Sequence, residues 1–242
     1  MVKIQMGLTG ITRKTTTEVI GNALNLKPDY RGGTLHAYEI GEWSVFMDDK
    51  VEPQNEAIET TVDLKVGVGF KSSNFEEVSM VLKALQDTGA VMNSSCRLAI
   101  IVDDLKHTDN SKRNLMRLFE GKQKLIFDAL DVHEGTIGIA KDTVTFRLFN
   151  STFDIEKIKA YEQFSDLLNK LSATLKTAST KQNVTDNPKF TMRIFLIRLG
   201  MVGDEYKVAR KILLANLEGN SAFRNGKPKA EERVAEQDNT QA

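Results

Sequence analysis

The chain has 242 residues, 40% of them apolar and 27% charged, a composition typical of a globular protein with a substantial core. Its 33 lysines and arginines balance 33 aspartates and glutamates, so no overall charge draws it to DNA, RNA or an anionic membrane. One cysteine, Cys96, excludes internal disulfides, and three scattered histidines argue against a Cys/His zinc cluster.

The first 48 residues contain one strand, one helix and a hairpin in sequence order. Apolar residues alternate over residues 2–8, which predicts a strand, and recur at helical spacing over residues 9–26. Residues 27–33, KPDYRGG, have the composition of a turn. Two β-rich runs follow, TLHAYEIG and WSVFMDD, and a Gly-Glu pair at 41–42 joins them as in a hairpin. The pattern predicts a β-α-β-β unit.

A polar connection, KVEPQNEAIET at residues 50–60, leads to a further strand and helix. TVDLKVGVGF alternates as a strand, although Gly67 and Gly69 weaken it. Asn74 is a predicted N-cap for the helix that follows, and Gly89 ends that helix.

Residues 97–149 repeat the order of the first unit. NSSCRLAIIVDD, residues 93–104, predicts a strand, and Asn110 or Ser111 is a predicted cap for the helix SKRNLMRLFEGKQKLIFDAL. TIGIA and TVTFRLF then predict a second hairpin. Two β-α-β-β units indicate an antiparallel sheet with helices packed on one face.

From Asp154 onward the apolar period changes from two to 3.6, which predicts helices. Pro188 lies early in one of them, Gly200 and Gly203 bracket a break, and Asp204 opens the last. We therefore expect an α+β fold. We expect residues 1–150 to form the sheet domain, residues 151–223 a C-terminal helical layer packed on it, and residues 224–242 a disordered tail with few large apolar side chains.

The most apolar stretch, RIFLIRLGMV, is interrupted by Arg193 and Arg198, and the start of the chain lacks the basic and apolar regions of a signal peptide. These features predict a cytoplasmic protein that does not associate with membranes.

Arg147 and an acidic pair are candidates for a site on the sheet. In TVTFRLF, Val144, Phe146 and Leu148 share one face of the strand. The other face carries Thr143, Thr145, Arg147 and Phe149. Arg147 either binds a carboxylate or phosphate in a cleft or pairs with an acidic residue across the sheet. Asp103 and Asp104 either hold a metal or an amine or cap the following turn.

Three cations, Lys207, Arg210 and Lys211, share one face of the last predicted helix. They form either a partner-binding patch for phosphate or nucleic acid or an ordinary solvated face. Since no aromatic residues are interleaved for base stacking, the sequence favours the solvated face.

Several blocks resemble the amidoligase family of bacterial and phage mobile elements, which is related in fold to glutamine synthetase and glutamate-cysteine ligase. They are TGITRK, WSVFMDD with Trp43 and Asp48, LKALQDTGAVMNSSC, TVTFRLFNST with KIKAY, and DNPKFTMRIFLIRLGMVGDEYKVARKILLANLEGNSAFR. The similarity extends to about residue 225.

This resemblance implies an ATP-dependent carboxylate-amine ligase in which acidic side chains hold Mg²⁺ against the triphosphate. The family pattern places glutamates and histidines at positions that here are Gln5, Gly7, Ala99, Ile101 and Thr145. One acidic position survives in kind as Asp63, while Asp48 and Arg147 match the pattern.

Losing one electrostatic contributor lowers kcat by roughly 10²–10³, so several losses should abolish turnover. We therefore expect a catalytically inactive, amidoligase-like protein without cofactor or metal. Ala99 and Ile101 are expected to join the core. Its expected role is to bind a host protein or ribonucleoprotein for a phage or conjugative element, for example in counter-defence against a CRISPR effector. An active ligase with ATP, Mg²⁺ and Asp48, Asp63, Asp103 and Arg147, or a nucleic-acid-binding protein, is the alternative.

Overall fold

The computed structural model describes residues 2–32, 36–47, 66–71, 74–93, 97–103, 108–182 and 185–223. Within these ranges the chain forms nine strands and six α-helices. The strands are β1 (Val2–Thr9), β2 (Asp29–Gly32), β3 (Ala37–Ile40), β4 (Trp43–Met47), β5 (Val66–Lys71), β6 (Val91–Met92), β7 (Arg97–Asp103), β8 (Thr136–Ile139) and β9 (Thr143–Asn150). The helices are α1 (Arg13–Leu24), α2 (Phe75–Asp87), α3 (Asp109–Leu130), α4 (Ile155–Thr174), α5 (Pro188–Leu199) and α6 (Lys207–Leu213), the last preceded by a 3₁₀ turn at Asp204–Tyr206. The α+β prediction is confirmed.

The strands form one open antiparallel sheet in the order β2-β3-β4-β5-β1-β7-β9-β8, with β6 pairing one end of β1. The second predicted β-α-β-β unit is present in chain order as β7-α3-β8-β9, while the first has one further strand, β2, between its helix and its hairpin. Their pairing differs, because β7 pairs directly with β9, whereas β5 lies between β1 and β4.

Strand β2 was predicted as a turn, and that prediction is wrong. It is a solvent-exposed edge strand with no inward apolar residue, so it has no hydrophobic alternation from which to predict it. It pairs with β3. Arg31 of β2 forms an ion pair across the two strands, with Nε 2.8 Å from Glu39 Oε2, and a second one within β2, with Nη1 3.3 Å from Asp29 Oδ2.

Two predicted helix starts have different outcomes. Asn74 caps α2 as expected, because its side chain accepts a hydrogen bond from the Glu77 amide. The cap predicted for α3 at Asn110 or Ser111 is wrong. Thr108 is the cap, its Oγ1 accepts from the Ser111 amide at 3.2 Å, and Ser111 lies buried within the first turn.

Helix α4 joins the helical layer to the sheet. It packs against β1, β7 and β9 and against α2, α3, α5 and α6. Its side chains Phe164 and Leu168 are fully buried in the same hydrophobic cluster as Ile4 and Ile100 of the central strands. The helical layer predicted from residue 151 onward therefore shares its core with the sheet. The predicted tail, residues 224–242, lies outside the described residues.

None of the described helices combines the length and apolar character needed to cross a membrane.

Candidate functional site

The two faces of the sheet differ in composition. On β1, Val2, Ile4, Met6 and Leu8 are buried in the core beneath the helices, whereas the alternate positions lie on the opposite side. We call that side the outer face. On the central strands it comprises Lys3, Gln5, Gly7, Ser44, Phe46, Gly67, Gly69, Ala99, Ile101, Asp103, Thr143, Thr145 and Arg147.

The positions singled out in the sequence come together on this face. Gln5 lies opposite Gly69 of β5 on one side and Ala99 of β7 on the other. Ile101 is opposite Thr145 of β9. With neighbouring strands about 4.8 Å apart, these positions line three adjacent strands of one surface.

Ala99 and Ile101 differ in burial on the outer face. Ala99 is only 4% exposed, but it lies outside the hydrophobic cluster, and Ile101 stays half-buried and also outside it. The expected burial is therefore confirmed for Ala99, which is buried although it lies outside the main hydrophobic cluster, and is wrong for Ile101. The core lies on the helical side of the sheet, and these two side chains alternate to the other side.

An aromatic ring covers the glycines of β5. A Cβ atom on Gly67 would lie 2.1 Å from Cε2 of Phe46, the cross-strand partner of Gly67. Ser44 Oγ lies beside this ring and donates a hydrogen bond to the Gly69 carbonyl oxygen at 3.3 Å. The centre of the outer face is thus filled by an apolar ring and a neutral hydroxyl.

Carboxylates are sparse on this face. Among the described residues of the central strands β4, β5, β1, β7 and β9, only Asp103 places one there. Asp29 and Glu39 lie on the same face at the far edge of the sheet, and Arg31 forms ion pairs with both. The hydrogen bond to Glu39, together with the charge of Asp29, raises the pKa of the Arg31 guanidinium. Glu39 lies four strand spacings, about 19 Å, from Ala99 of β7, and Asp103 is four residues further along that strand.

Arg147 is exposed on the outer face opposite Thr136 of β8. No carboxylate of the described residues pairs with it, so the predicted cross-sheet ion pair is absent from the part of the chain seen here. Asp103 is opposite Thr143, four residues along β9, which places it about 13 Å from Arg147 along the strand. The two residues share a face without sharing a site.

A β-bulge next to Arg147 corrects one predicted face. The register between β7 and β9 shifts between Leu98 and Ile100, so Phe149 pairs with Leu98 on the helical side. Its ring stacks on Tyr161 of α4 with centroids 4.4 Å apart. Simple alternation predicted that Phe149 shares the face of Arg147. That prediction is wrong, because the bulge moves Phe149 to the helical side.

The remaining predicted residues lie elsewhere. Asp48, Asp63 and Asp104 are outside the described residues. Lys207 and Lys211 are exposed on α6, in the helical layer away from the sheet. Arg210 Nη1 donates hydrogen bonds to the Met201 and Gly203 carbonyl oxygens, both at 2.9 Å, and so holds the loop before α6.

Sequence reasoning gave no role to Arg13, although it lies in the TGITRK block. Its guanidinium lies 5.4 Å from the centre of the Tyr38 ring and donates to the His36 carbonyl oxygen at 2.8 Å. Tyr30 Oη completes the cluster by hydrogen bonding to His36 Nδ1 at 3.0 Å. This cluster joins α1 to the β2-β3 hairpin, a contact that local sequence patterns do not reveal.

Comparison with family models supplies the decisive observation. Residues 4–139, more than half of the chain, match the model described as "Putative amidoligase enzyme". The chain belongs to the amidoligase family. No curated protein and no solved structure matches it. The matched span runs from β1 to the end of β8, so Arg147 and the helices from α4 onward lie beyond it.

Amidoligase chemistry requires acidic side chains around Mg²⁺ and ATP, and the described residues do not fit that requirement. Mg²⁺ binds oxygen donors at about 2.1 Å, so its protein ligands must lie within a few ångströms of one another. Gln5, Ala99 and Thr145 carry no charge, and Asp103 has no second carboxylate beside it on the described outer face. Consistently, no group of three His, Cys, Asp or Glu side chains is placed to share a metal anywhere in the described ranges.

Proposed function

We propose that this amidoligase-family protein is catalytically inactive and acts by binding a host macromolecule. The observation that supports the proposal is the chemistry of the outer face. Gln5, Ala99 and Thr145 present an amide, a methyl group and a hydroxyl at positions where the family pattern has acidic or histidine side chains, and Asp103 is the one carboxylate on the described central strands. A divalent cation or triphosphate bound there would leave charge without compensation, at several kcal/mol for each buried charge.

The biological setting extends the proposal. The family resemblance is to proteins of phages and conjugative elements, whose products meet host defence systems in the cytoplasm. The partner we propose is therefore a host protein or ribonucleoprotein, and the proposed effect is counter-defence, such as inhibition of a CRISPR effector. This step rests on analogy with the setting of the family.

Isothermal titration calorimetry with Mg²⁺ and ATP tests the loss of chemistry. We expect no heat of binding at millimolar nucleotide and no ADP release in the presence of mixed carboxylates and amines. Binding in the micromolar range, or ADP release that depends on an added amine, would contradict the proposal and favour an active ligase.

The matched control is the double variant Asp103→Asn, Arg147→Ala, which removes the two charged candidates that the structure places on the outer face. ADP release that is independent of an added amine and is retained by this variant identifies a contaminating ATPase. Release that the variant loses identifies a working site and overturns the proposal.

A third measurement, binding of single-stranded and duplex nucleic acid at two salt concentrations, is expected to show no steep salt dependence.

A further inference from the structure

Helix α5 carries apolar residues on opposite sides. Met192, Phe195 and Leu196 are buried in the core, while Ile194 and Ile197, one turn apart on the other side, are 47% and 40% exposed. A helix at the surface of a globular protein normally presents polar residues to water. The outward side of α5 is therefore an apolar strip that no described part of the chain fully covers.

The loop after α5 continues this strip. The Gly200 amide donates to the Ile197 carbonyl oxygen and the Val202 amide to the Gly200 carbonyl oxygen, so the loop turns tightly against the helix end. Val202 is 59% exposed. Arg210 holds the same loop through its two carbonyl contacts and thereby fixes α6 beside it.

Helix α6 adds Val208, also exposed. We call Ile194, Ile197, Val202 and Val208 the C-terminal surface. These four are among nine exposed large hydrophobic residues in the described part of the chain, and they fall within 15 consecutive residues. Exposed apolar residues scattered singly need no explanation, whereas four within one short stretch of chain make that stretch the candidate interaction site.

The charge around this surface indicates the kind of partner. Residues 188–213 contain six lysines and arginines against two carboxylates, Asp204 and Glu205, in a chain that is neutral overall. Arg198, Lys207 and Lys211 are exposed and form no ion pair with a described residue. The four apolar residues are aliphatic, whereas single-stranded nucleic acid is held by stacking on aromatic rings. A protein partner with acidic groups fits both observations.

We propose that the C-terminal surface docks an acidic protein that places apolar side chains against the two isoleucines and carboxylates against Lys207 and Lys211. Arg210 acts as a positioning residue, because it holds the loop that carries Val202. This inference rests on the proposed binding function and names the partner class and the surface.

Site-specific photo-crosslinking in cells of the natural host tests the inference. Benzoylphenylalanine is introduced separately at positions 197 and 208. Met80 and Val91 are the matched control positions, since they are 48% and 58% exposed and lie on α2 and β6. Lys3 is a fifth position that reports on the outer face. We expect an adduct with one protein from positions 197 and 208 only, with a cross-linked peptide of net negative charge.

Charge reversal provides the second arm. The variant Lys207→Glu, Lys211→Glu is expected to lower the adduct yield at least tenfold, whereas reversal of the exposed Lys83 and Lys181 leaves it unchanged. Thermal melting of each variant verifies the fold. If charge reversal unfolds the protein, Lys207→Gln, Lys211→Gln is used and should lower the yield several-fold.

The inference would be overturned by adducts that nuclease removes, by adducts with a second copy of this chain, by equal yields from Met80 and Ile197, or by no adduct at all. An adduct from Lys3 alone would move the partner to the outer face, which leaves the proposed binding function intact while excluding this surface. Binding of Mg²⁺-ATP would refute the inactive assignment separately.

Discussion

Burial on α4 raises the pKa of Glu162 to about 7, well above its ordinary value of 4.5. Removal of the carboxyl group from water is the main cause, and the negative charge of Asp166 one turn away adds to it. Lys170 and Lys159 act in the opposite direction but do not offset the burial. The side chain is therefore held where its charged form is unfavourable in the folded state.

Replacing this carboxyl group should change how stability depends on pH. The pKa of Glu162 is higher in the folded protein than in the unfolded chain. The contribution of its protonated carboxyl group to the free energy of unfolding is therefore fully present below about pH 4.5 and is lost as pH rises through 7. The variant Glu162→Gln keeps the shape and removes the charge. We expect its free energy of unfolding to exceed that of the wild type by about 2–3 kcal/mol at pH 8 and by much less at pH 5.

Urea unfolding at pH 5, 6, 7 and 8 measures this difference. Glu120→Gln, at an exposed position of α3, is the control and should leave the pH profile unchanged. Parallel profiles for wild type and Glu162→Gln would show that the carboxyl group is ionised freely in the folded protein.

A second residue-level prediction concerns Asn187, which joins three parts of the helical layer. Its Oδ1 accepts from the Phe190 amide at 3.0 Å, capping α5, and its Nδ2 donates to the Asn220 and Phe223 carbonyl oxygens. Asn187→Ala removes all three hydrogen bonds. We expect a loss of about 2–4 kcal/mol in stability, because a cap and two partly buried carbonyl partners are lost together.

Hydrogen exchange localises this effect. The Lys189 amide, which donates to the Glu218 carbonyl oxygen, should exchange faster in Asn187→Ala, while amides of β1 keep their protection. The exposed Asn22→Ala on α1 serves as control. Uniformly faster exchange across the sheet would indicate that Asn187 supports the whole fold and not the segment from 218 to 223.

At the level of elements, β4 and β5 depend on the fit between a ring and a glycine. A side chain at position 67 cannot enter without displacing Phe46, since its Cβ would lie within 2.1 Å of the ring. Gly67→Ala should therefore destabilise the protein by about 1–3 kcal/mol, as overpacking typically does. In the Phe46→Ala background the same substitution should be nearly neutral.

A double-mutant cycle of these two substitutions, measured by urea unfolding, gives the coupling directly. We expect a coupling of at least 1 kcal/mol in size, in line with directly contacting residues. Additive effects would show that the ring moves aside without cost and that the outer face of β5 is loosely packed.

The elements show how far the sequence predicts this fold. Alternation placed β1, β7 and β9 correctly because each has one buried face. Strand β2 was not predicted because it has no buried apolar side chain and therefore no hydrophobic alternation. The position of β5 between β1 and β4 depends on long-range pairing that local patterns do not encode. The bulge beside Arg147 likewise shifts Phe149 without a sequence signal.

The candidate site was predictable in position and less so in chemistry. The resemblance to the family implied which positions differ from its pattern of glutamates and histidines, because that comparison needs residue identities alone. The sequence did not indicate that Glu39 and Asp29 lie on the same face paired with Arg31, or that Arg210 holds a loop, because both depend on contacts between elements distant from one another.

At the level of the whole molecule, the sheet and the helical layer, which the sequence predicts to pack on it, form one core. Helix α4 contacts three central strands, and Phe164 belongs to the same cluster as Ile4. Without α4, these strands would expose a broad apolar face to water. We expect residues 1–150 alone to be aggregated or loosely folded, because such a face costs about 25 cal/mol for each Å² exposed.

Two probes on the intact chain test this cooperativity. Trp43 is the single tryptophan, is 2% exposed, and donates to Glu77 Oε1, so its fluorescence reports on the sheet and α2. Far-UV circular dichroism is dominated by the helices, including α4 and α5. We expect both signals to change at the same urea concentration, as one cooperative unit requires. Separate midpoints, or a cooperatively folded 1–150 fragment, would show that the helical layer is a domain of its own. Supplying residues 151–223 in trans to the fragment should restore its buried Trp43 signal only if the two parts share the core described here.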